Sequence, residues 1–171
     1  MKLHHEDIYP LPVADMLAVF TSRAFYDDRF ASATGEIEFV EFGERGGRFV
    51  IDIRRHVAMR PGTHVPAIAR KFIRDVNVTH TRMEWDLSKG ETHRGTYRFH
   101  IEGLPVDISG NMHLEPRAGG CVERVDMTIA CSIPLIGGKI ASMAGERAEK
   151  ALARDAENTR KYLRRAGLVT A

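Results

Sequence analysis

Cysteine is scarce. The 171 residues hold two, Cys121 and Cys131, and a single tryptophan, Trp85. Both cysteines fall in one extended stretch, where ten residues at ~3.3 Å each would hold them roughly 33 Å apart. A disulfide needs Cα atoms within about 7 Å, so two reduced thiols are expected, read as small buried hydrophobes. Long hydrophobic runs are also missing. No window reaches the roughly 18 uninterrupted apolar residues that suggest a membrane-spanning helix. The first residues, Met1-Lys2-Leu3-His4-His5-Glu6-Asp7, put acidic groups where a secretory leader needs an apolar stretch. These absences lead us to expect a cytoplasmic location.

An excess of one charge is absent as well. Lys and Arg number 25 against 23 Asp and Glu, leaving +2, too slight a balance for a dedicated nucleic-acid surface. No repeat, low-complexity tract or Pro/Gly/Ser-rich linker divides the chain, so residues 1–171 are expected to form one domain. Catalytic and metal-binding motifs are lacking too. His4-His5-Glu6 does not match the H-E-x-x-H spacing that sets two imidazoles on one helical face. The remaining six histidines are scattered over predicted strands and turns. Gly137-Gly138-Lys139 lacks the first glycine and the Ser/Thr of a phosphate loop, and no nucleophile elbow or dinucleotide fingerprint occurs. Neither a metal nor another cofactor is expected, and no residue is assigned a catalytic role.

What the chain does hold is enough apolar matter for a core: 43% hydrophobic residues against 28% charged. Residues 3–9 read as a short strand stopped by Pro10-Leu11-Pro12. Helical spacing then runs from Val13 to Phe30, with Thr21-Ser22 as a break that would make two short helices. From Gly35 the period changes to two. Strands are predicted on either side of a Gly46-Gly47 turn, then over 76–87, 92–101, 106–115 and 121–133, separated by short turns. Such succession implies an antiparallel meander. Between the third and fourth strands lies an amphipathic piece carrying Ile68, Phe72 and Ile73 among Arg60, Arg70, Lys71 and Arg74.

The last segment, about residues 139–165, is helical. Ala141, Gly145, Ala148, Leu152, Ala156, Thr159 and Leu163 step by three or four and share one face. Its length of ~40 Å suits a helix lying across a sheet. The expected order is therefore strand, two short helices, six strands and a long helix: an α+β domain with a seven-stranded antiparallel sheet. Alternation points Phe49, Ile51, Ile53, Met83, Trp85, Tyr97, Phe99, Ile101, Ile108, Met112, Leu114, Val125, Met127 and Ile129 inward, subject to a register flip at any bulge. Against these bulky groups the helix presents alanines and a glycine. Small residues either let a helix approach the sheet closely or leave space above it, and both readings stay open.

This order resembles the helix-grip fold of the START-like superfamily, which includes lipid-transfer domains, pollen-allergen relatives and polyketide cyclases. The run Ile133-Pro134-Leu135-Ile136-Gly137-Gly138-Lys139-Ile140, with Glu84-Trp85 and Leu104-Pro105-Val106 before Gly110, is similar to a bacterial START-like family of unknown function. The resemblance implies a curved sheet wrapped around the last helix, with an apolar cavity for a hydrophobic small molecule or lipid. The expected lining is Phe49, Ile51, Ile53, Met83, Trp85, Tyr97, Phe99, Ile108, Met112, Met127, Ile129, Ala144, Ala148 and Leu152. Thr79, Thr81, His93 and Tyr97 are the candidates to orient a polar head. Ile68, Phe72 and Ile73 are the candidate gate, whose basic neighbours would suit transient contact with an anionic membrane surface. Binding without covalent chemistry is the leading expectation. A cyclase- or dehydratase-like enzyme would instead need two or more titratable groups converging in the cavity, and a homodimeric interaction module would have a filled core. Oligomeric state is not legible.

Overall fold

The computed structural model describes residues 1–58 and 74–170. Strand β1 (Lys2–Tyr9) leads through Pro10-Leu11-Pro12 into helices α1 (Val13–Phe20) and α2 (Arg23–Phe30). The break between them falls at Thr21-Ser22. The Thr21 hydroxyl donates to the Leu17 carbonyl at 2.8 Å, ending α1, and Ser22 Oγ accepts from the Phe25 amide at 3.2 Å, starting α2. Ser22 satisfies an amide that the helix start would leave bare, while the Thr21 hydroxyl adds a second donor to a carbonyl that the Thr21 amide already reaches at 2.9 Å. Six strands follow: β2 (Ile37–Arg45), β3 (Arg48–Ala58), β4 (Val76–Asp86), β5 (His93–Ile101), β6 (Val106–Arg117) and β7 (Gly120–Cys131). Helix α3 (Gly137–Arg165) closes the chain, beginning two residues earlier than the spacing predicts.

All seven strands pair antiparallel in the order β1-β7-β6-β5-β4-β3-β2. The α+β helix-grip arrangement expected from the sequence is thus the observed one. The β2–β3 hairpin turns on Gly46 and Gly47, both at positive φ (57° and 77°), the conformation that a tight primed turn demands. A bulge sits in β2 between Phe39 and Glu41. It leaves Val40 as the extra residue. Phe39 (opposite Ile53) and Phe42 (opposite Ile51) then share one face although they are three apart.

Strands β1 and β2 lie at opposite edges of the sheet, so α1 and α2 must cross it to connect them. They cover part of the inward face with aromatic rings. Phe20 of α1 stacks on Trp85 at 5.8 Å and meets Tyr9 edge-on. Tyr26 of α2 packs against Phe39 and Phe42, and Phe25 meets Tyr162 of α3. Trp85, Ile51, Ile53, Leu114 and Leu163 are fully buried in this core. Ion pairs fasten the helices: Arg29 of α2 to Asp155 of α3 at 2.5 Å, Arg165 to Asp28 at 2.6 Å, and Arg160 to Asp7 of β1 at 2.9 Å. The two cysteines are free thiols.

Candidate functional site

Two kinds of contact alternate along α3. At Gly145 the helix comes down hard on the sheet: a Cβ there would stand 2.1 Å from Met1 Sδ and 3.4 Å from Ile129 Cδ1. Ala141 and Ala156 are likewise buried. Ala144, Ala148 and Ala151 face open space instead. With Ile140, Met143, Arg147, Leu152 and Asp155 they form one wall of a pocket of about 350 Å³, closed on the other side by Tyr97, Phe99, Ile101, Leu104, Val106, Ile108 and Met127. That volume lies at the lower end of the ~300–1,000 Å³ usual for ligand sites. Small side chains therefore serve both purposes that the sequence left open, each at its own positions.

Of the expected lining, Tyr97, Phe99, Ile108, Met127, Ala144, Ala148 and Leu152 are brought together here. Phe49, Ile51, Ile53, Met83, Trp85, Met112 and Ile129 are not. Rings of the short helices and of β2 pack around the first six: Trp85 lies under Phe20, Met83 Sδ meets the Tyr26 hydroxyl at 3.9 Å, and Phe49 packs edge-on to Phe42 of β2. Ile51 pairs with Phe42 and Met83, both neighbours of Tyr26, and Ile53 pairs with Phe39. Met112 stands beside Trp85 across Gly95. Ile129 is covered where Gly145 lowers the helix.

Of the expected polar anchors, only Tyr97 reaches the pocket wall. His93 is buried at the β4–β5 hairpin with Nδ1 2.9 Å from the Asp86 carbonyl. Thr79 and Thr81 pair with Ile101 and Phe99 on the inward face but lie outside the wall. The gate candidates Ile68, Phe72 and Ile73 lie outside the described residues. The expected lining left out Ile101, which alternation turns inward, and Asp155, at the border of the apolar helix face, and it missed Leu104, Val106, Ile140, Met143, Arg147 and Ala151. The continuing steps of three and four through Ile140, Ala144, Ala148, Ala151 and Asp155 could have shown this second helical stripe, which crosses the packed one at Ala148.

Apart from Tyr97, Arg147 and Asp155 the described wall is apolar. Asp155 is held there by Arg29. Burial pushes the Tyr97 hydroxyl up to about 12, with Arg29 pulling it down and Asp155 adding to the rise; it stays protonated at neutral pH. A neighbouring polar chain runs along β1 and β7. His5 Nε2 lies 2.7 Å from Asp7, Arg160 joins Asp7 from α3, and the Tyr9 hydroxyl donates to Glu123 Oε2 at 3.3 Å. Burial first, then the Asp7 carboxylate, pushes Glu123 up to about 7. Among the described residues no three metal-ligating side chains converge. The wall can hold an apolar body and offers polar contacts at Tyr97, Arg147 and Asp155. Among the described residues its one carboxylate, Asp155, is already engaged by a guanidinium.

Residues 4–163 match the family described as "Protein of unknown function (DUF2505)". No curated protein matches the chain. Among solved structures, a protein from Rhodobacter sphaeroides is 15% identical with a TM-score of 0.57, over 99% of this chain and 95% of that one. A protein from Thermus thermophilus is 16% identical with a TM-score of 0.56, over 92% and 96%. Ara h 8.0201 is 15% identical with a TM-score of 0.52, over 95% and 97%. At these identities the likeness is one of fold.

Proposed function

The chain belongs to the DUF2505 family, and from its pocket we propose that it binds a hydrophobic small molecule or lipid without covalent chemistry. The observation that carries this reading is the stripe Ala144, Ala148 and Ala151 facing about 350 Å³ of apolar space, while Gly145 on the same helix packs tightly. Water gains little from such a wall, whereas an apolar ligand removes its surface from water at ~25 cal/mol per Å². The START-like resemblance supports the same reading. A cytoplasmic setting completes it, in keeping with the free thiols Cys121 and Cys131.

The test is uptake of the neutral dye N-phenyl-1-naphthylamine, followed by its fluorescence. The wild type should take up the dye with micromolar affinity, typical of a small apolar site. Ala148→Phe should fill the pocket and abolish uptake while the thermal midpoint holds or rises. Absence of uptake, or uptake that Ala148→Phe leaves unchanged, overturns the reading.

A further inference from the structure

Near the lining carboxylate Asp155 stand two guanidiniums that act on each other and on it, Arg29 and Arg55. Asp155 is engaged by Arg29 at 2.5 Å, and the Tyr97 hydroxyl in the same wall has no hydrogen-bond partner among the described residues. A second guanidinium, Arg55, sits on this inward face. The register pairs Arg55 with Thr79, and Thr79 with the pocket-lining Ile101. Arg55 lies 4.8 Å over the Phe30 ring, and its Nε is buried without a hydrogen-bond partner. No carboxylate forms an ion pair with it among the described residues. The charges it senses are Arg29 and Asp155, and burial together with Arg29 holds it below the ordinary arginine range. Arg55 therefore faces only Asp155, which Arg29 already holds, while Arg29 also acts on the partly neutralised Glu123.

An uncompensated cation drawn out of water is unfavourable until a counter-charge arrives. Contact with Phe30 offsets part of that cost, but a ring supplies no acceptor for the bare Nε. A guanidinium fork matches a carboxylate, which accepts two parallel bonds, and Tyr97 can donate a third. We propose that the pocket takes a singly charged anionic amphiphile, a fatty-acid-like carboxylate, with its chain against Phe99, Ile108, Met127 and Ala148 and its head among Arg55, Arg29 and the Tyr97 hydroxyl. This rests on the reading of the pocket as a ligand site and adds the head group's charge.

Calorimetric titration of the full chain with dodecanoate and dodecylammonium below their micelle concentrations, and with dodecanol below its solubility limit, separates the two claims. Dodecanoate should bind at least ~10-fold tighter than dodecanol, the effect of one or two charge-assisted hydrogen bonds. Arg55→Met should lower dodecanoate affinity to that of dodecanol and leave dodecanol unchanged, and Arg55→Lys should keep part of the preference. Equal binding of acid and alcohol, tighter binding of the ammonium, or an acid preference that survives in Arg55→Met overturns the head-group assignment while the pocket stands. If none of the three binds, the pocket reading itself fails. The wild-type ligand series decides the matter even if Arg55→Met does not fold.

Discussion

Glu123 is the residue whose chemistry departs furthest from what its position in the chain suggests. By alternation it shares the inward face of β7 with Val125 and Met127, and it is only partly buried there. Its carboxyl is pushed up to about 7 from an ordinary 4.5, by burial first and then by Asp7, against the Tyr9 hydrogen bond and Arg29. A raised carboxyl means the unfolded chain releases this proton first. Stability from this group therefore falls as pH rises from about 4.5 to about 7, and the loss is complete above that. Glu123→Gln stays neutral and still accepts from Tyr9. It should stabilise by about 1–3 kcal/mol near pH ~8 and change little near pH ~4. Urea unfolding at the two pH values measures this, and an equal effect at both would contradict it. No spacing rule could have shown this feature, because its cause is burial where β7 meets Asp7 of β1 and Asp155 of α3.

Elements explain the motifs that singled this chain out. Gly110 of β6 and Gly137 at the start of α3 are not there for flexibility. A Cβ on Gly110 would stand 2.3 Å from the Asp126 carbonyl oxygen of β7, and one on Gly137 would stand 2.4 Å from the Cys131 carbonyl. Both obstacles are backbone, which cannot rotate aside. Gly110→Ala is therefore expected to cost about 3 kcal/mol, the upper range for overpacking, and chemical denaturation would report it. An alanine tolerated at Gly110 would mean that β6 and β7 separate easily. Leu135 in the same motif adopts positive φ (66°) with its side chain fully exposed, so its shape serves the turn into α3 rather than the core. The α3 stripe was legible because 3.6-residue periodicity survives any tertiary context. Which of its small residues touch the sheet was not, since Gly145 and Ala148 lie on the same stripe and meet opposite surroundings.

The whole molecule turns on one topological fact: β1 and β2 occupy opposite edges, so α1 and α2 cross the inward face and fill it beneath their rings. The space left between α3, β5 and β6 is the pocket. Saturating it should therefore stabilise the entire chain. An alkyl ligand at a hundredfold excess over its Kd is worth about 2.7 kcal/mol, or roughly 5–10 °C for a chain of this size. Scanning calorimetry should show that shift in the wild type and none in Ala148→Phe; equal shifts in both would place the ligand elsewhere. Local pattern determined the element order, the break at Thr21-Ser22, the inward sets of β3 to β7 and the helical face, because these depend on neighbours within a few residues; the β2 bulge that turns Phe42 inward was not in it. Charge, cysteine count and the absence of long apolar runs likewise follow from composition. Only the tertiary structure decided which inward residues are sealed and which stand before a void. Phe49, Trp85 and Met112 obey the same alternation as Phe99, Ile108 and Met127. They differ only in what packs above them, two short helices in one case and a stripe of alanines in the other, and periodicity along a strand carries no information about that third layer.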